Sequence, residues 1–446
     1  MATIHFNDAL RLAAISLRDA SLPDEPKARV IRDIYGRLRF ALDCPLDDYP
    51  AAALAKLQQA QAALGPYATS AEVLSHDSFS DPQAVFGSTD WHRTLVELGA
   101  DEDGESLGAA EVQLLDRQIT GQDWLRPPMD ASLPHPHRLV FFGLKGGVGR
   151  STALAMTAWG LAQRGKKVLL IDFDLESPGL SSLVLPPNRG ADFGVVDWLL
   201  EDAVGQGADI LPRMVSASPL AETTIGAIRV ATAMGVGELN YLAKLSRAYA
   251  DVPGASGPQR MGARMRKLVE QLEATEEPDV VLIDSRAGLH DLAAVSITGL
   301  ADTALLFATG GAQSWSGYEQ LFSHWQHRPD VAKHVRERLV MVRALTPKTD
   351  REASVRGFKR KAYELFAETL YDELPAEQLD EDELFHPGEK DESAPHFPIL
   401  VDWDERFQEF DPMLRPEDGG ANAVHIEGAF GQLIARLLSR MDGEAA

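Results

Sequence analysis

The chain has a single cysteine, Cys44, and no apolar run near the roughly 20 residues that a membrane-spanning helix needs. One thiol excludes an internal disulfide and a C-x-x-C metal or cluster site. The opening residues, Met-Ala-Thr-Ile-His-Phe-Asn, lack the basic segment and apolar segment of a secretory signal. These features favour the cytoplasm. Basic residues are also scarce: 43 Lys and Arg stand against 67 Asp and Glu, a net charge of −24. That balance argues against a generally nucleic-acid-binding surface and leaves only local basic groups for such a role. Its plain consequence is solubility. Internal repeats are absent too.

What remains is an ordinary globular composition, 45% hydrophobic and 25% charged over 446 residues, enough for two or three domains. Residues 1–126 read as a small all-helical domain. Phe6, Leu10, Ala13 and Leu17 recur at helical spacing, as do Val30, Ile34, Leu38 and Leu42. Ala51 to Leu64 is rich in Ala, Leu and Gln, and shorter helices are expected at Thr94–Leu98 and Ala109–Asp123, around an acidic loop at 101–105. No catalytic constellation is visible there, which suits an adaptor or regulatory domain. Residues 127–137 hold four prolines and read as an extended linker.

The residues from 138 onward carry the chemistry. Leu139 to Phe142 is an apolar run that predicts a buried strand. It enters Lys145-Gly146-Gly147-Val148-Gly149-Arg150-Ser151-Thr152, and a helix is expected from Ser151. Strand, glycine-rich loop and helix together form a phosphate cradle: curled backbone N–H groups and the helix dipole face one anion. Ser151 stands where a P-loop hydroxyl holds Mg²⁺. A second apolar strand, 167–171, runs into Asp172-Phe-Asp174. A third, 280–283, runs into Asp284-Ser-Arg286-Ala-Gly288. Carboxylates at the carboxyl ends of parallel strands lie where α/β folds bind ligands.

The loop at Lys145–Thr152 resembles the deviant Walker A motif, K-G-G-x-G-K-[ST]-T, of the ParA/MinD-type ATPases, and more narrowly a bacterial subgroup with the variant K-G-G-V-G-R. The resemblance implies a mostly parallel sheet flanked by helices across 138–446, with a divergent acidic C-terminal region. It implies ATP and Mg²⁺ as ligands and a dimer that closes around nucleotide. Lys145 would cross to the partner's phosphates, and Arg150 would replace the usual in-loop lysine. That exchange is not conservative, because a guanidinium is larger, forked and always charged. The backbone of 146–149, Ser151 and Thr152 would cradle phosphates. Asp174 would place the attacking water, and Asp284 would hold the metal through water. Gly288 and Arg286 would read the γ-phosphate.

Several alternatives stay open in the residues themselves. Asp172 is a supporting carboxylate or a helix cap. Arg286 contacts the γ-phosphate or a facing subunit, or pairs with a nearby carboxylate. The Trp- and His-rich stretch 315–325 is packing or a binding surface. The adenine loop expected at Ala344–Pro347 lacks the family's asparagine. Protein partners would engage the N-terminal domain or the acidic C-terminal region. The basic groups at 260–267 and 356–361 raise DNA partitioning as a less favoured alternative. The last helix has few basic residues, so packing is favoured over membrane contact. By resemblance, the K-G-G-V-G-R subgroup is tied to bacterial conflict or signalling systems. The competing reading is a nucleotide-sensing scaffold with little turnover.

Overall fold

The computed structural model describes all residues except 1–2, 21–27, 71, 101–103, 127–133, 188, 255–256, 375–383, 409–410, 412–413, 415–421 and 444–446. The linker prolines Pro127 and Pro128 and the acidic runs at 101–103 and 380–383 lie outside the described residues. The chain divides into two compact units, Met1–Gln122 with His327–Asp330, and Asp123–Gln326 with Val331–Ala446.

The first unit corrects the all-helical expectation. Two helices occur where helical spacing predicts them, Phe6–Ala20 and Ala51–Ala63. The other segments are strands: β1 (Arg29–Arg32), β2 (Leu38–Ala41), β3 (Trp91–Glu97) and β4 (Ala109–Asp116), in the order β2-β1-β4-β3. The apparent i, i+4 spacing of Val30, Ile34, Leu38 and Leu42 crosses a turn. Asp33 accepts from the Gly36 amide there, and Gly36 has φ +82°. In β3 and β4, cross-strand pairing from Trp91↔Leu115 to Glu97↔Ala109 overrides the helical preference of Ala109-Ala-Glu-Val. Cys44 is buried in this unit's core. The boundary also moves, because Trp124 is buried in the second unit against Phe142 and Trp325.

The second unit is built on eight strands: β5 (His137–Gly143), β6 (Lys167–Asp172), β7 (Val215–Ala217), β8 (Ala227–Ala231), β9 (Val280–Asp284), β10 (Thr303–Ala308), β11 (Leu339–Thr346) and β12 (Ile399–Asp402). Their order is β12-β11-β10-β5-β9-β6-β8-β7, and all neighbours are parallel except β7 with β8. Continuous apolar runs suit such strands, because helices cover both faces. One face carries the Arg150–Gln163 and Ala423–Met441 helices, through Leu154, Leu161, Phe430 and Leu433. The other carries Trp198, Leu268, Tyr318, Phe322 and Trp325. The aromatics of 315–325 are therefore packing, and the terminal helix packs on the core.

β5 lies between β9 and β10. The chain leaves β5 towards β6 on one side, while β10, β11 and β12 build the other side. That reversal opens a crevice at the carboxyl end of β5, where ligands of open α/β sheets sit.

Candidate functional site

The loop at the end of β5 curls as its glycines allow. Gly147 and Gly149 have φ +75° and +76°, a region that disfavours side chains. A Cβ on Gly146 or Gly147 would meet no atom within 4 Å, so the loop faces open space. Beside it is a cavity of about 360 Å³, lined by Lys145 to Thr152, Leu345, Val401 to Asp404, Phe407, Gln408 and Phe430. Lys145 is exposed and Val148 is buried. Among these lining residues, Leu345 belongs to the loop expected to hold the base. Trp403, Asp404 and Phe407 come from beyond β12, where no sequence motif marked them.

Below the loop, four predicted residues converge. Arg150 is only 8% exposed and Asp284 1%. Arg150 Nε donates to Asp284 Oδ1 at 2.7 Å, and Nη2 donates to Asp174 Oδ2 at 3.0 Å. Ser151 Oγ donates to the other Asp284 oxygen at 2.7 Å. Register explains the convergence: Asp172 pairs with Asp284 at the ends of β6 and β9, directly beneath the start of the Arg150–Gln163 helix. Burial alone would pull the Arg150 guanidinium down, but the Asp284 and Asp174 carboxylates hold it above its ordinary value. Burial pushes Asp284 up, against the lowering effect of Arg150 and Ser151. Asp172 is fully buried, and burial together with Asp284 pushes it well above the carboxylate range. Its Oδ1 accepts the Asp174 amide, and its Oδ2 has no partner. Asp172 thus braces the loop through the Asp174 amide, and the Leu180 amide at the start of the next helix also lowers it.

The glycine of the third motif, Gly288, has φ +84°, and its amide donates to the Gly143 carbonyl at 3.1 Å. Arg286 has two local carboxylate partners: Nη1 donates to Asp174 Oδ1 at 3.3 Å and lies 2.9 Å from Glu176 Oε2. Glu176 also accepts from Tyr249 Oη and lies 3.4 Å from His290 Nε2, while Tyr241 Oη donates to the Leu175 carbonyl at 2.6 Å. Sequence reasoning missed this network. Glu176 follows the D-x-D pair directly, but the tyrosines sit more than 60 residues away with nothing in their spacing to link them.

The donor set fits an oxyanion with a divalent cation beside it. Open backbone amides and Arg150 suit the anion. The Ser151 hydroxyl on Asp284, with the orphaned Asp172 oxygen behind, suits a hydrated cation. Among the described residues no group of three or more His, Cys, Asp or Glu side chains forms a metal centre of its own. Of the basic groups, Arg264 donates to the Leu199, Ala248 and Ala250 carbonyls and Lys267 pairs with Asp202, whereas Arg356 and Arg360 are exposed beside Glu352 and Glu364.

Residues 138–193 match the family model described as "AAA domain". That stretch holds β5, the glycine-rich loop and its helix, β6 and the Asp172–Asp174 turn. Solved structures with a similar fold include a single-substitution variant of McdA of Cyanothece in complex with ATP, at 14% identity, covering 70% of this chain and 98% of that one with a TM-score of 0.41. A putative plasmid partition protein of Borrelia burgdorferi bound to AMPPNP is also 14% identical, with coverages of 68% and 99% and a TM-score of 0.41. Cobyrinic acid a,c-diamide synthase of Mycobacterium smegmatis, with an ATP analogue and magnesium, is 18% identical, with coverages of 48% and 74% and a TM-score of 0.34. No curated protein matches the chain.

Proposed function

We propose that this ParA/MinD-like chain binds Mg-ATP, hydrolyses it slowly, and uses the difference between the two states to control protein partners. The observation that carries the proposal is the meeting of Arg150, Ser151, Asp174 and Asp284 beneath an open glycine-rich loop. Phosphoryl transfer asks a protein mainly for charge neutralisation and a placed nucleophile. Ser151 and, through water, Asp284 would hold Mg²⁺, which when bound neutralises charge on the phosphates. In this proposal Arg150 and the amides of 146–152 bind the phosphates, Asp174 orients water, and Gly288 and Arg286 respond to the γ-phosphate.

Lys145 is exposed at the cradle's rim, which supports a role across an ATP-dependent homodimer. The first unit and the acidic C-terminal region are the proposed partner surfaces, in a cytoplasmic setting of bacterial conflict or signalling. DNA is less favoured, because the chain carries a net charge of −24. Membrane contact is not favoured either: among the described residues no helix is long and apolar enough to cross a membrane, and the terminal helix buries its apolar face.

A second reading, a nucleotide sensor with little turnover, is favoured by one observation. Both oxygens of Asp174 already accept from arginines, so a water would share them with two guanidinium groups. Binding of a fluorescent ATP analogue, measured beside phosphate release, separates the two. Asp174→Ala should keep binding and lose turnover by about 100-fold or more. Tight binding without turnover in the wild type selects the sensor. Absence of binding in the wild type overturns both.

A further inference from the structure

The buried arginines of this chain lie beside carboxylates, with one exception. Of the six among the described residues, Arg138, Arg150, Arg264, Arg328 and Arg336 each have a carboxylate within 4.0 Å. Arg343 has none, although it is only 5% exposed. It sits on β11 opposite Ala308, the last residue of β10. Its Nη1 donates to the Ala344 carbonyl at 2.7 Å and its Nη2 to Ser354 Oγ at 3.1 Å, while Nε is buried without an acceptor. The guanidinium carbon lies 5.4 Å from the centre of the Phe358 ring. Burial pulls the guanidinium down from its ordinary value, and no acid nearby raises it. An arginine keeps its charge in a protein, and a buried charge without a counter-charge is costly. An anion from outside the chain would relieve that cost.

The surroundings of Arg343 suit such an anion. Gly310 is exposed, and a Cβ there would lie 3.4 Å from Arg343 Nη2, so a ligand at that spot reaches the guanidinium. Gly310 and Gly311 lead into the Ala312–Gln326 helix, and the amides of 310–313 donate no hydrogen bond among the described residues. Ser354 stands in the first turn of the Arg351–Thr369 helix. Two helix N-termini therefore meet at one buried guanidinium, and all three favour negative charge. Val342 and Ala344 pack with Leu154 on one face of the sheet, so Arg343 between them points to the other. It takes no part in the cavity beside the glycine-rich loop. We propose that Arg343, the 310–313 amides and the first turn of the Arg351–Thr369 helix form a second anion site, for a phosphoryl group, separate from the glycine-rich cradle. Its donors come from two helices and a strand, which suits the oxygens of a tetrahedral phosphate better than the planar pair of a carboxylate. The site goes beyond the nucleotide reading and does not depend on it.

Hydrogen–deuterium exchange of the full chain, in inorganic phosphate and in chloride of equal ionic strength, tests the site. At ten times its dissociation constant, phosphate should slow exchange of the 310–314 amides about tenfold. The amides of 146–152 report on the nucleotide cradle separately. Protection at 310–314 without protection at 146–152 supports the second site while counting against the cradle. Arg343→Met should lose the slowing at 310–314. Gly310 lies outside the left-handed region, so the backbone there accepts a side chain. Gly310→Asp brings a carboxylate of the chain's own to the guanidinium. It should lose the phosphate response and melt at a higher temperature than the wild type in chloride. Phenyl phosphate in place of inorganic phosphate sorts the source: equal slowing assigns a phosphate monoester, and slowing by inorganic phosphate alone assigns the free ion. No slowing at 310–314 in the wild type, or slowing that persists in Arg343→Met, overturns the site. A Gly310→Asp chain that melts lower, or that keeps the phosphate response, overturns it as well, and this holds even where Arg343→Met does not fold.

Discussion

Replacing Arg150 with alanine should destabilise the second unit at neutral pH by an amount its surroundings set. In the wild type one guanidinium faces two carboxylates at 2.7 and 3.0 Å, and the arginine and Asp284 are almost wholly buried. Each close pair contributes roughly 4 kcal/mol of attraction at an effective dielectric near 20, much of it offset by desolvation. Removing the arginine leaves the carboxylates buried without that cation, which typically costs about 3–5 kcal/mol. The loss should depend on pH. Burial already raises Asp172 and Asp284 above the ordinary 3.8, and deleting Arg150 removes a lowering influence on Asp284. The folded variant then binds more protons than the unfolded chain above pH 3.8, so its stability declines as pH rises through the raised values. Urea denaturation followed by tryptophan fluorescence, at pH 7 and pH 5, measures both effects. The variant's deficit should be several kcal/mol at pH 7 and smaller at pH 5. A deficit under about 1 kcal/mol at pH 7, or one that grows on acidification, would refute the reasoning.

Further predictions concern places away from this cluster. Burial, reinforced by Arg328, lowers His92 from 6.5 to about 4, so the unfolded chain takes up a proton first as pH falls. The first unit should lose about 2 kcal/mol between pH 7 and pH 5, and thermal melts of His92→Gln should lack that increment. A Cβ on Gly160 would lie 2.4 Å from Ile434 Cδ1 and within 3.1 Å of two more atoms of that side chain. Gly160→Ala should therefore cost about 1–3 kcal/mol despite its better helix propensity. Denaturation of the pair with Ile434→Ala should show that the two costs do not add.

The second unit was legible because its strands are unbroken apolar runs ending in polar loops, a pattern that chain-distant partners do not alter. Leu139–Phe142, 167–171 and 280–283 are all strands of one parallel sheet, and the register Asp172↔Asp284 then follows from their common carboxyl ends. The first unit is harder to read because β1 and β2 have only four residues each and β3 is largely exposed. Val30 to Leu42 mimics a helix only if the turn at Asp33–Arg37 goes unseen, and Ala109–Asp116 becomes a strand through its neighbours β1 and β3. At the site, motif order named Arg150, Ser151, Asp174 and Asp284. It could not show that Arg150 rests on both carboxylates, or that Arg286 shares Asp174 with a second acid. Trp403, Phe407, Tyr241 and Tyr249 reach their places only through the fold.

The central claim is a nucleotide-dependent switch, and the mass of the chain in solution tests it most directly. Light scattering should be recorded with and without ATP and Mg²⁺, for the wild type and for Lys145→Ala. The account predicts a monomer that doubles in mass only when both ligands are present, and a Lys145→Ala chain that binds ATP but stays single. One mass in all conditions, indifferent to nucleotide and to Lys145, would contradict it.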